Sequence, residues 1–297
     1  LLLLAAFLFA EPLSAQTTYD VYYLGGQSNM DGFGRTGELP EDLKATQAGV
    51  MIFHGNPAPD DGANAGQGVW AELRPGHGIG FSSDGAVNDY SERFGVELTF
   101  AQRLRELDPE ARIALIKYSR GGTSIDEEAA GRFGSWDLDY GGPSGINQYD
   151  HFLATVRNAM AVEDIDGDGI PDELVPAGIV WMQGESDAAF TPEIAHRYKD
   201  NLRELIDLIR AAFRADDLPV VIGRISESGQ DEDGKVWDHG EIVRAAQAAF
   251  VAEDGAASLV TTTDQYDYSD PWHYDSSGYI DLGRRFAEAL FKLRRDR

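Results

Sequence analysis

Three polar side chains in this chain have the types and settings that acyl-transfer chemistry needs. Ser28 follows Asp20-Val21-Tyr22-Tyr23-Leu24-Gly25-Gly26-Gln27, a short apolar stretch that runs into paired glycines. Its β-branched and aromatic residues read as a strand, and the glycines let the backbone turn sharply at the carboxyl end. A serine held there becomes a nucleophile when a base reaches its hydroxyl. His273, in Asp270-Pro271-Trp272-His273, is the best-placed base among six histidines. An aspartate three residues earlier can accept a bond from one ring nitrogen. That fixes the tautomer and leaves the other nitrogen for the serine proton. The same Asp-x-x-His pair can equally cap a helix beginning near Ser276 or Ser277.

Acyl transfer also needs donors for the oxyanion. Gly121-Gly122 offers backbone N–H groups, and Gln183 offers a side-chain amide. Glu185 and Asp187 are alternative partners for His273, or metal ligands. His54 follows an expected strand and is a weaker candidate for the site. Trp70, Trp136, Trp272 and Tyr274 are loop aromatics, suited either to stacking on sugar rings or to buried packing. Gly32-Phe33-Gly34-Arg35-Thr36-Gly37 matches G-x-G-x-x-G in form only. It starts past its strand, and Pro40 interrupts the stretch after it, so no dinucleotide site is expected.

These residues need a scaffold that gathers them. Further strands are expected at 49–53, 113–118, 178–182, 219–225 and 257–262. Helices are expected at 92–107, 148–160, 192–213, 240–252 and 277–293. Strands alternating with helices argue a parallel sheet covered on both faces. The polar clusters fall after the first, third, fourth and last strands, at the carboxyl ends where such sheets bind ligands. No composition break marks a linker, so residues 16–297 read as one domain.

The chain has 297 residues, with 51 acidic and 25 basic side chains and a formal net charge of −26. Such a surface repels nucleic acid and anionic membranes, so neither is an expected partner. There is no cysteine, which excludes disulfides, thiolate metal sites and a cysteine nucleophile. Residues 1–15, LLLLAAFLFAEPLSA, read as the core and cleavage region of a signal peptide, truncated at its start. That expectation makes the protein secreted or periplasmic.

Four blocks together resemble the SGNH hydrolases. They are Gly26-Gln27-Ser28-Asn29-Met30, Gly121-Gly122-Thr123-Ser124, Trp181-Met182-Gln183-Gly184-Glu185-Ser186-Asp187 and Asp270-x-x-His273. More narrowly they resemble the sialate O-acetylesterase-like branch, with the acetylxylan esterases of carbohydrate esterase family six. The resemblance covers nearly all of residues 20–290. It implies an α/β fold, a three-layer α/β/α sandwich around a five-stranded parallel sheet. It also implies Ser28 as nucleophile, His273 as base and Asp270 as its orienter. The oxyanion donors it implies are the Ser28 and Gly122 N–H groups and the Gln183 amide. Gln27, Asn29 and Glu185 are expected to shape the site.

One stretch lies outside this pattern. Residues 164–173 resemble a calcium loop, with Asp164, Asp166, Asp168 and Asp172 as candidate ligands and Gly169 at the sixth position. Val175 stands where the bidentate glutamate belongs, so Glu173 or a partner elsewhere would have to substitute. The loop lies between a helix and the fourth strand, so a structural rather than catalytic ion is expected. The combined reading is a secreted serine esterase that removes O-acetyl groups from a carbohydrate, with no cofactor for catalysis. Its pH profile should rise through a pKa near about 7 if His273 is the base. The rivals are a non-catalytic, calcium-stabilised sugar-binding protein and a metal-dependent hydrolase using Glu185, Asp187 and His273.

Overall fold

The computed structural model describes residues 16–57, 64–142 and 146–297. The proposed leader, 1–15, lies outside them. Seven strands form the central sheet: β1 (Thr18–Gly26), β2 (Gln47–His54), β3 (Ala71–Leu73), β4 (Ile113–Ser119), β5 (Glu173–Met182), β6 (Val220–Gly223) and β7 (Ala257–Val260). Their order is β7-β6-β5-β1-β4-β2-β3, and every neighbouring pair is parallel except β2 with β3. The family pattern implied five strands. The short β7 extends one edge in parallel, and the antiparallel β3 adds to the other.

The main helices are α1 (Glu97–Leu107), α2 (Gln148–Met160), α3 (Pro192–Ala212), α4 (Gly240–Glu253) and α5 (Ser276–Arg295). Side chains alternate across β1, so successive tyrosines anchor opposite layers. Tyr22 packs edge-on against Phe100 of α1. Tyr23 packs against Phe152 of α2 and Phe213 just beyond α3. Both tyrosines are buried, as is nearly all of β1. Asn147, Thr191 and Asp275 cap α2, α3 and α5 with side-chain oxygens, each satisfying an N–H that the helix itself leaves open.

Two features aim the sheet at one point. The chain leaves β1 toward β2 on one side, while β5 pairs on the other, so β1 is the switch point where a crevice opens. Gly26 lies in register with Ser119 of β4 and Met182 of β5, which brings three carboxyl ends together. A side chain at Gly26 is ruled out, since its φ is +143° and a Cβ would fall 2.0 Å from the Met182 carbonyl oxygen.

Candidate active site

Ser28 begins a single helical turn, Ser28–Asp31, directly after β1. The turn is held from below by Lys117 of β4, whose buried Nζ donates to Asp31 O at 2.9 Å, His77 O at 2.7 Å and Glu97 Oε2 at 2.9 Å. Losing one partner of such a buried pair costs about 3–5 kcal/mol, so the base of the turn is rigid. His54 and His77 sit in this buried support, Nδ1 to Nδ1 at 3.4 Å. Burial, then the Lys117 charge, holds both well below the ordinary histidine range. His54 therefore lies behind the site and does not face it.

The loop after β4 closes over the serine. Gly121 packs so tightly that a Cβ on it would lie 3.2 Å from the Ser28 Cβ. Beside it, the Asp31 carboxylate accepts from Ser119 Oγ at 3.3 Å, and burial raises it to about 6 against the pull of Lys117 and Arg120. Gly122 follows with φ +72°. Neither the Ser28 nor the Gly122 N–H has an acceptor among the described residues.

His273 reaches the same place from the segment before α5. Its Nδ1 donates to Asp270 Oδ2 at 2.8 Å, while Asp270 Oδ1 accepts from the backbone N–H groups of Trp272 (2.8 Å) and His273 (2.9 Å). Burial alone would raise Asp270, but these donors hold it below the usual carboxylate range. Burial lowers His273 below its ordinary 6.5, more than Asp270 raises it. The cap of α5 is Asp275, which accepts from Gly278 N at 2.7 Å. Asp270 is therefore left to the histidine, and the helix-cap alternative falls away. The imidazole also stacks on Phe33, with centroids 3.5 Å apart and planes 5° apart.

Asn29 fastens this histidine segment to the serine turn. Its Nδ2 donates to Glu185 Oε1 at 2.8 Å and Trp272 O at 3.1 Å. Its Oδ1 accepts from Tyr279 OH at 2.8 Å and Tyr274 N at 3.4 Å. Glu185 is buried, its pKa raised by burial, and its second oxygen has no partner among the described residues.

Ser28 and His273 line one cavity of about 460 Å³ with Gln27, Gly121, Gly122, Arg120 and Arg132. Phe33, Phe133, Phe190, Trp237 and Trp272 supply much of its wall. Of the four aromatics singled out in the sequence, only Trp272 faces it, half exposed. Trp70, Trp136 and Tyr274 are buried. Phe33, Phe190 and Trp237 could have been found only as loop aromatics near strand ends, a signal shared with many packing residues.

Gln183 stands apart from the cavity. It is fully buried, and its Nε2 donates to Asp187 Oδ2 at 2.6 Å, Thr123 O at 3.1 Å and Gln27 Oε1 at 3.3 Å. Asp187 also accepts from the N–H groups of Ile125 and Asp126, and burial raises it to about 7. Glu185, Asp187 and His273 do not converge: the two carboxylates face Asn29 and Gln183, and only His273 lines the cavity. The metal-hydrolase arrangement is thus not assembled by this fold.

Far from the cavity, one oxygen each from Asp164, Asp166 and Asp172 lies within 4.8 Å of the others. Asp168 is not part of that group; its Oδ1 accepts from Ile170 N at 2.8 Å.

A sequence profile described as carbohydrate esterase, sialic acid-specific acetylesterase matches residues 18–292. The chain belongs to this carbohydrate esterase family. It is a carboxylic ester hydrolase of the SGNH-like branch, acting on acetylated carbohydrate. The fold is shared with a protein from Arabidopsis thaliana, at 19% identity and TM-score 0.63, covering 93% of this chain and 98% of that one. A carbohydrate acetylesterase from Xanthomonas citri aligns at 19% identity and TM-score 0.63, over 94% of this chain and 57% of that one. NanS aligns at 16% identity and TM-score 0.60, over 96% and 100%. Comparison with curated protein sequences gives no match. Among the described residues, no helix is long and apolar enough to cross a membrane.

Proposed function

We propose that this carbohydrate acetylesterase works through a serine acetyl-enzyme, with Ser28 as nucleophile, His273 as base and Asp270 as its orienter. The observation that carries the reading is the meeting of Ser28 with the Asp270-bonded His273 in one cavity, beside two N–H groups that lack acceptors among the described residues. Ser28 Oγ attacks the ester carbon, its proton passes to His273 Nε2, and the carbonyl π pair moves onto oxygen. The Ser28 and Gly122 N–H groups receive that charge. Collapse expels the sugar oxygen, which takes the proton from His273. Water then repeats the sequence on the acetyl group and releases acetate. A histidine lowered by burial stays neutral, and so competent as a base, at neutral pH.

The substrate we favour is a sugar that carries a carboxylate beside its acetyl ester, as sialic acid does. Arg120 and Arg132 both lie over the Phe133 ring, 4.7 and 4.5 Å from its centroid, and line the cavity. Neither forms an ion pair among the described residues, although the chain carries 51 acidic side chains. Acetate release from O-acetylated sialic acid, set against acetylated xylan, tests this. Faster turnover of xylan would overturn the choice. The leader-like residues 1–15 support export, and the converging carboxylates of Asp164, Asp166 and Asp172 support a structural calcium ion.

A further inference from the structure

Two neighbours fix the ring of His273, whose side chain is only 12% exposed. Asp270 holds the Nδ1 edge at 2.8 Å, and Phe33 covers one face with centroids 3.5 Å apart and planes 5° apart. Packed carbons sit about 3.5–4.0 Å from one another, so this centroid separation leaves almost no sideways offset. Two neutral aromatic rings disfavour that arrangement, because their negative faces repel, and prefer offset or edge-on packing. A cation over the face of a phenyl ring is attracted to it. The stack therefore suits an imidazolium better than an imidazole.

The fold secures the stack from the Phe33 side as well. Arg93 Nη1 donates to Phe33 O at 2.6 Å. The next two residues, Gly34–Arg35, pair antiparallel with Arg93–Phe94, and Arg35 N donates to Ser276 Oγ at 2.9 Å. A ring held by its own backbone thus meets a base held by Asp270. Burial opposes the positive charge on His273 most, Asp270 favours it, and the Arg93 guanidinium opposes it. These are the charged groups that bear on the ring among the described residues. The π face of Phe33 is a further influence, felt chiefly when the ring is charged.

Resting on the serine-esterase reading, we infer that Phe33 is a positioning residue for the base, holding the plane of the His273 ring and stabilising its imidazolium through the phenyl face. As Ser28 Oγ bonds to the ester carbon, its proton passes to His273 and the ring becomes positive. Asp270 meets that charge at one edge and Phe33 on one face. When the adduct collapses, the proton leaves with the sugar oxygen and the ring is neutral again. The same cycle recurs as water attacks the acetyl group, so Phe33 acts in both half-reactions.

Fluorine withdraws the negative charge from a phenyl face and changes the ring's size little. Replacing Phe33 by mono-, di- and trifluorophenylalanine therefore weakens the attraction stepwise while keeping the cover that buries the base. The readouts are kcat and KM for p-nitrophenyl acetate, the pH profile of kcat/KM, and the thermal midpoint. We expect kcat to fall stepwise, by about 2- to 30-fold in the trifluoro protein, and the ascending pH limb to move to lower pH in the same order. KM and the thermal midpoint should hold. A kcat and limb indifferent to fluorine overturn the inference, as does a limb that moves to higher pH. So does a joint change of kcat, KM and thermal midpoint, which marks packing alone. If the fluorinated proteins do not fold, Phe33→Leu, which covers the base without a π face, is judged by the same criteria. Ser28→Ala runs alongside: activity there overturns the serine mechanism itself. An inactive Ser28→Ala beside an unchanged fluorine series overturns only the role of Phe33.

Discussion

Replacing Asn29 should unfasten the histidine segment from the serine turn, and its bonds set the size of the effect. Asn29 donates to Glu185 and Trp272 O and accepts from Tyr279 OH and Tyr274 N. The 3.4 Å contact to Tyr274 contributes little, which leaves three bonds to set the loss. Three effective bonds at about 1 kcal/mol each put the loss in Asn29→Ala at about 3 kcal/mol. For a chain of this size that corresponds to a midpoint about 6–12 °C lower. Because Trp272 and Tyr274 flank His273, kcat/KM should fall as well.

A paired exchange separates this bond from general damage. Asn29→Asp alone turns an acceptor toward Glu185 Oε1 and Trp272 O, whereas Glu185→Gln supplies a donor to meet it. The double variant should be more stable than the two single losses added together, by about 0.5–3 kcal/mol. Thermal and denaturant unfolding of the four proteins measure it. Strict additivity, or an Asn29→Ala protein with wild-type midpoint and kcat/KM, would refute the reasoning.

Three further outcomes are expected. The pH profile of kcat/KM should have one ascending limb with its midpoint below 6.5, because burial lowers His273 and only the neutral ring accepts the serine proton; activity is lost as pH falls through that pKa, and a limb centred above 7 would contradict it. Gly26→Ala should yield no folded protein, since the new Cβ collides with the Met182 carbonyl; recovery of a soluble, active variant would show that the β1–β5 register can shift. Calcium at a hundredfold over its dissociation constant should add about 2.7 kcal/mol of stability and leave kcat unchanged. Asp164→Asn with Asp172→Asn should abolish that gain, and no midpoint shift in millimolar calcium would remove the ion from the picture.

The parallel strands were legible because each is an apolar run that stops at glycine, serine or a polar cluster. All six parallel strands lie where those runs stand. The antiparallel β3, Ala71–Leu73, was not legible: three residues inside a Gly/Asp-rich loop carry no periodicity. Strand order was also hidden, since pairing β1 between β4 and β5 depends on contacts far apart in the chain. Ser28, Asp270 and His273 stood out because their chemistry is local: a serine at a strand end, and an aspartate three residues before a histidine. Gln183 shows the limit of that kind of reading. Its type suits an oxyanion donor, but the direction of its amide is set by Asp187, Thr123 and Tyr198, which only the folded packing brings together. Phe33 gave no signal beyond that of any loop aromatic, because its stacking on His273 joins segments 240 residues apart.

The most direct test of the central claim is p-nitrophenol release from its acetate ester by wild type and Ser28→Ala, each with and without chelator. If Ser28 is the nucleophile, only the substitution abolishes turnover, and chelator leaves wild-type kcat intact. Turnover persisting in folded Ser28→Ala would contradict the serine mechanism outright.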